Sequence, residues 1–135
     1  MPASVVVDAS IAVQWITQEP GTESATRLVS ADVLLVAPDI MPIEAANACW
    51  KKVRRGDMPA ADAEPALATL LTFGLELVPS LGLLPRAMRL AVELQHPIYD
   101  CLYLALASGR GAPVATADAR LRRVVERVGL ALWRR

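Results

Sequence analysis

Val5-Val6-Val7-Asp8-Ala9-Ser10, running straight into Ile11-Ala12-Val13-Gln14-Trp15-Ile16, is the stretch whose reading decides the fold. A short run of β-branched residues predicts a strand, and the helical pattern that follows it predicts the first step of a β-then-α succession. The strand closes on a carboxylate, Asp8, with no other charge nearby.

The same succession repeats along the chain. Apolar runs at 5 to 7, 33 to 36, 75 to 78, 114 to 116 and 130 to 133 predict five strands. Helical patterns between them fall at 11 to 16 and 22 to 30, with a break at Glu19-Pro20-Gly21, and at 39 to 55, closed by Gly56. Others follow Pro59 as far as Gly74, then run over 85 to 95, 97 to 108 and 118 to 128, the last closed by Gly129. Strands alternating with helices predict an α/β fold of three layers, with a central parallel five-stranded sheet flanked by helices. No repeat, low-complexity tract or linker divides the 135 residues, so residues 1 to 135 are expected to form one domain.

Composition sets further bounds. With 54% hydrophobic and 21% charged residues, the chain is too apolar for disorder, and it is expected to present an apolar surface to a partner. The formal net charge is zero, so the chain as a whole does not advertise a polyanion partner. Its charges are uneven, however. Lys51, Lys52, Arg54 and Arg55 form one basic cluster, and Arg120, Arg122, Arg123, Arg127, Arg134 and Arg135 form another. Either cluster alone reads as a solvated helix face; two beside an acidic site would suit a polyanion. Cys49 and Cys101 read as reduced core thiols in a cytoplasmic protein. No leader pattern precedes the first strand, and the longest charge-free stretch, 65 to 75, falls short of the ~18 residues of a membrane span. A soluble, untargeted protein is expected.

Four acids stand out: Asp8, Glu44, Asp100 and Asp118. Asp100 is the only charge between His96 and Arg110, in a segment that is apolar all round a helix. Burying an ionised carboxylate there without partners costs several kcal/mol or more, roughly, so a cation or a full set of donors is implied. In an open parallel sheet, sites form beyond the carboxyl ends of the strands. Asp8 and Asp118 lie at such ends, and Glu44 and Asp100 lie early in their helices, so one site can collect all four.

Singly, each acid has a structural explanation. Asp8 and Asp118 suit helix caps, Asp100 suits a helix dipole, and Glu44 suits the edge of a helix whose apolar stripe is Ile43, Ala46, Trp50 and Val53. Asn47, one turn after Glu44, and the hydroxyls of Ser10 and Thr116 are candidate supports, with local turn bonds as their alternative. Together, the four carboxylates would repel one another unless a cation joins them. Oxygen ligands without thiolate or imidazole select Mg²⁺ or Mn²⁺ over zinc. His96, the single histidine, reads as a helix-start residue, and one histidine excludes a two-imidazole ribonuclease mechanism.

Four motifs then combine: Val-Val-Val-Asp-Ala-Ser at 5 to 10, Glu-Ala-Ala-Asn-Ala-Cys-Trp at 44 to 50, Tyr-Asp-Cys-Leu-Tyr-Leu-Ala-Leu-Ala at 99 to 107 and Thr-Ala-Asp-Ala-Arg-Leu at 116 to 121. Together they resemble the PIN-domain ribonucleases, in particular the VapC-type toxins of toxin-antitoxin pairs. The resemblance implies a parallel five-stranded sheet and metal-dependent endonucleolytic cleavage of RNA. By position it makes Asp8, Glu44, Asp100 and Asp118 the metal-binding acids, with Ser10, Asn47 and Thr116 in support. Asp8 and Asp100 are assigned the principal metal, and Glu44 or Asp118 the water or a second metal. It also implies a homodimer and a cognate antitoxin laid across the early helices, for which Trp15, Ile16 and Trp50 are candidate groove walls, with core packing as their alternative.

Two other classes fit the sequence poorly. A phosphoacceptor receiver module wants adjacent acids at the first strand and a lysine after the last, whereas this chain has one Asp at position 8 and no lysine after Lys52. An aspartate-nucleophile phosphatase wants Asp two residues after the first, where Ser10 stands. A non-catalytic PIN-like module that binds RNA or a partner is the remaining alternative.

Overall fold

The computed structural model describes residues 3 to 17 and 22 to 134. Its elements are β1 (Ala3–Val7), α1 (Ala9–Ile16), α2 (Thr22–Ser30), β2 (Val33–Pro38), α3 (Met41–Arg55), α4 (Ala60–Leu70), β3 (Glu76–Val78), α5 (Ser80–Leu94), α6 (Ile98–Arg110), β4 (Val114–Ala115) and α7 (Ala119–Arg127). The Glu19-Pro20-Gly21 break lies outside the described residues.

The strands form one parallel sheet in the order β3-β2-β1-β4. β1 sits inside it, paired to β2 from Ala3↔Val33 to Val6↔Val36 and to β4 at Val6↔Val114 and Val7↔Ala115. Alternate residues of β1 feed two cores, as the period of two in a strand requires. Val6 joins Val36, Val114 and residues of α3, α5, α6 and α7 on one face, while Val5 and Val7 join Leu35, Ala115 and the Ala25 and Leu28 of α2 on the other. The layering is therefore helix, sheet, helix. α6 is the central helix, with every residue from Cys101 to Ala107 buried, which is why its sequence is apolar all round.

Among the described residues four strands are present where five were expected. The fifth run, 130 to 133, makes a single parallel bridge, Leu132 to Val114, held by Val114 N–H to Ala131 O and Trp133 N–H to Val114 O, both 2.9 Å. The cause is the length of β4: two residues, after which the chain turns into α7 and leaves nothing more to pair with.

Two helices depart furthest from their sequence expectation. α4 stops at Leu70, short of Gly74. α5 begins at Ser80, five residues before Pro85, because Asp39 at the end of β2 accepts the Ser80 N–H at 3.0 Å from 41 residues away.

The apolar stripe expected on α3 is also corrected. Its buried face is Met41, Ala45 and Cys49, while Ile43 and Trp50 are 67% and 53% exposed. Ala45 and Cys49 let α3 approach its neighbours closely beyond Met41, so Ile43 and Trp50 are left outside.

Candidate active site

Asp8 closes β1 and caps α1, as its structural reading expects. One oxygen, Oδ1, accepts from Ser10 Oγ at 2.6 Å and from Ile11 N–H at 3.2 Å; the other, Oδ2, accepts from Thr116 Oγ1. Each hydroxyl has one proton, and both are spent on Asp8. Ser10 Oγ in turn accepts the Ala117 N–H at 2.8 Å and Thr116 Oγ1 accepts the Asp118 N–H at 3.0 Å. The hydroxyls thus tie the tip of β1 to the loop after β4. Asp8 is only 5% exposed. Burial pushes its carboxyl up to about 6 despite these donors, and the charge of Asp118 adds to the rise.

Asp118 caps α7, its Oδ1 accepting the Arg120 N–H at 2.8 Å. Asp100 stands in the first turn of α6, where the helix dipole favours negative charge. Its Oδ2 lies 2.7 Å from His96 Nε2 and 3.6 Å from Arg120 Nη2. Glu44, early in α3, is half-buried, and its Oε1 accepts from Tyr103 Oη at 2.5 Å. Burial raises the Glu44 carboxyl, the Tyr103 bond opposes that rise, and Asp100 adds to it. Tyr103 is 1% exposed, and burial followed by the charge of Glu44 raises its phenol far above the ordinary tyrosine range, with Asp8 and Asp100 contributing. The phenol therefore stays protonated and can always donate.

All four acids thus bear on one region: Asp118 acts on Asp8, Asp100 acts on Glu44, and Tyr103 feels Asp8, Glu44 and Asp100. Asn47 is exposed and shares a cleft of about 570 Å³ with Glu44, Lys51 and Tyr99. Among the described residues, no three Asp, Glu, His or Cys side chains stand close enough to hold one ion as they are. The donor set nevertheless suits a hard divalent cation. It is all oxygen, partly dehydrated and self-repelling, and an ion of the Mg²⁺ type keeps several water ligands of its own.

His96, Tyr103 and Arg120 are the residues that sequence reasoning missed. His96 is more than a helix-start residue. Its spacing of four from Asp100 was a usable signal, and so was the position of Tyr103 one turn after Asp100.

The expected groove walls separate. Trp15 donates its Nε1–H to Ala25 O at 2.7 Å and meets Phe73 edge-on at 5.1 Å, so it is largely packing. With Ile16 it also borders a cleft of about 430 Å³ that includes Lys52, Met58 and Pro59. Trp50 lies elsewhere, exposed beneath the Arg54 guanidinium at 5.1 Å.

The family model for the PIN domain matches residues 5–127. The chain is 34% identical to ribonuclease VapC3 of Pyrobaculum aerophilum over 119 residues, covering 87% of this chain and 91% of that one. This chain belongs to the PIN-domain family, among the VapC ribonucleases. Ribonuclease VapC9 of Mycobacterium tuberculosis is 32% identical over 117 residues, 87% of each chain. The fold is shared with the crystal structure of PAE2754 from Pyrobaculum aerophilum, at a TM-score of 0.73 and 24% identity over 96% of this chain and 83% of that one. It is shared equally with Mycobacterium tuberculosis VapC20, described as a sarcin-ricin loop cleaving toxin, at a TM-score of 0.73 and 17% identity over 97% and 99%. The PIN fold expected from the motifs is the fold found.

Proposed function

We propose that this VapC-family chain is a Mg²⁺- or Mn²⁺-dependent endoribonuclease and the toxin of a type II toxin-antitoxin pair, acting as a single domain. The observation that carries the reading is the buried Asp8, raised to about 6, at the head of a region shared with Glu44, Asp100 and Asp118. A carboxyl so costly to ionise alone is suited to a site completed by a cation.

Asp8 and Asp100 would hold the principal ion, and Glu44 or Asp118 would orient the water or hold a second ion. A bound divalent ion supplies Lewis-acid stabilisation of charge developing on the scissile phosphate. The chain supplies the rest. Ser10 and Thr116 fix both oxygens of Asp8, Tyr103 fixes one oxygen of Glu44, and His96 with Arg120 brackets Asp100. Asn47 is placed to assist Glu44 in their shared cleft.

The partners are an RNA substrate, a cognate antitoxin and a second copy of the chain. α5 leaves Leu81, Leu84, Met88 and Val92 exposed along one face, which supports the homodimer. The cytoplasm is the proposed location, supported by two buried cysteines, Cys49 and Cys101, that form no disulfide. Among the described residues no helix is long and apolar enough to cross a membrane.

The test is cleavage of a structured RNA and of single-stranded DNA with Mg²⁺, with Mn²⁺ and with EDTA, beside Asp100→Asn. RNA cleavage requiring both metal and Asp100 is expected. RNA binding with no cleavage in any metal would replace this reading with that of a non-catalytic RNA-binding module.

A further inference from the structure

A further cleft lies on the α2 side of the sheet, and no step assigned above uses it. It encloses about 450 Å³, and Arg27 of α2, Arg122 of α7, Arg134, Trp133, Gln14 of α1 and Thr116 are among its walls. Thr116 is the hinge between the two sites, because its hydroxyl donates to Asp8. The cleft therefore adjoins the catalytic acids through one residue.

Three guanidinium groups around one cleft make a strongly cationic hollow in a chain whose net charge is zero. Arg122 is held in place, its Nη2 donating to Thr116 O at 3.0 Å. Arg27 and Arg134 are only loosely engaged, each 3.8 Å from a carboxylate, Glu23 and Glu126 respectively, and all four side chains are largely solvated. Ion pairs of that length and exposure are weak and readily exchanged for a phosphate. Trp133 adds a half-buried indole packed against the α2-side core, a rigid surface on which a base can stack. Arginine with an aromatic platform is the combination that recognises unpaired nucleotides rather than an acidic peptide.

We infer that this cleft is a nucleotide subsite for single-stranded RNA flanking the scissile bond, with Arg27, Arg122 and Arg134 on phosphate and Trp133 stacked on a base. The inference rests on the ribonuclease reading for its place beside the acids, but binding there does not require cleavage. It assigns Arg134 and Arg122 of the C-terminal basic cluster to substrate, together with an arginine from α2 that belongs to neither cluster.

The experiment is fluorescence anisotropy of a labelled short single-stranded oligoribonucleotide in EDTA, titrated with the protein at several salt concentrations. The double variant Arg27→Gln/Arg134→Gln is expected to weaken binding about tenfold, with an unchanged melting temperature. Its log affinity against log salt should lose about 0.7 of slope for each phosphate contact removed. Trp133→Phe should bind within about twofold of wild type, whereas Trp133→Leu should lose at least about fivefold. Wild-type affinity in the double variant, or weaker binding with an unchanged salt slope, overturns the inference. Cleavage is scored separately in Mn²⁺. A double variant that binds and cleaves as wild type removes the subsite and keeps the nuclease. The expected binding losses with no cleavage by any protein keep the subsite and remove the nuclease.

Discussion

Tyr103 of α6 donates its hydroxyl proton to Glu44 of α3, and the two are 59 positions apart in sequence. The donor is buried and permanently protonated; the acceptor is half-buried beside Asp100. One oxygen of Glu44 is thereby fixed by a core helix, which leaves the other to face a ligand.

Tyr103→Phe should therefore damage catalysis more than folding. The hydrogen bond favours ionised Glu44, so without it burial and Asp100 raise that carboxyl further, and the acid limb of the cleavage profile moves to higher pH. Loss of a partner to a ligating group costs roughly 10- to 100-fold in metal affinity or activity. The folding cost should be about 1 to 2 kcal/mol, since a half-buried carboxylate can regain water. A pH-rate profile and urea unfolding check both, and an unmoved acid limb would remove Tyr103 from this role.

Asp8 predicts an unusual pH dependence for the metal-free protein. Its folded-state value of about 6 lies above the ordinary aspartate value of 3.8. The folded state thus binds more protons between those values, so the contribution is fully present below about pH 4 and is lost as pH rises through about 6. The difference amounts to about 3 kcal/mol. In EDTA at pH 7.5, Asp8→Asn should be more stable than wild type by up to that amount, because an amide keeps the Ile11 cap without the buried charge. Mn²⁺ at about a thousandfold excess over Kd should reverse the order by stabilising only wild type, by ~4.1 kcal/mol. Thermal melts of both proteins with and without Mn²⁺ are the check; equal stability in EDTA would contradict it.

These two residues also show what the sequence could reveal. The valine run ending in Asp8 was legible because strand periodicity and a lone carboxylate are local, and α2 was read at its true limits, Thr22–Ser30, for the same reason. Glu44 was legible as an acid, but its helix face was not. Helical spacing alone put Ile43, Ala46, Trp50 and Val53 on the apolar stripe, whereas packing selected Met41, Ala45 and Cys49. The start of α5 depends on Asp39, the orientation of Glu44 depends on Tyr103, and neither distant partner leaves a periodic signal. The weak fifth strand followed from how early β4 turns, which composition does not encode.

His96 is expected to position Asp100. The ring nitrogen at 2.7 Å and the Arg120 guanidinium at 3.6 Å share the same oxygen, Oδ2, which steers Oδ1 towards any ligand. His96→Ala should raise the Mn²⁺ concentration for half-maximal cleavage about tenfold, and His96→Gln, which still offers an N–H, should recover part of it. Metal titrations of the cleavage rate decide the matter. An identical half-saturation point in all three proteins would reduce His96 to a connector between α5 and α6.

The exposed face of α5 supplies the last prediction. Leu81, Leu84, Met88 and Val92 recur at helical spacing, and Leu81 and Val92 are 80% and 72% exposed. A helix normally turns such a stripe inward, yet α5 already buries Ala87 and Leu94 on its other side. Two apolar stripes on one helix imply two apolar neighbours, and among the described residues α5 packs mainly against one, α6. A second copy packing the same stripe against itself would form an isologous contact, the commonest symmetry of small assemblies. Light scattering should give a mass of twice 14.5 kDa for wild type. Leu81→Glu/Val92→Glu should give the single-chain mass with an unchanged melting profile at low concentration, because neither side chain contributes to the core. A wild-type monomer at high concentration would leave this face for a different partner, and a dimer that survives both charges would place the interface elsewhere on the molecule.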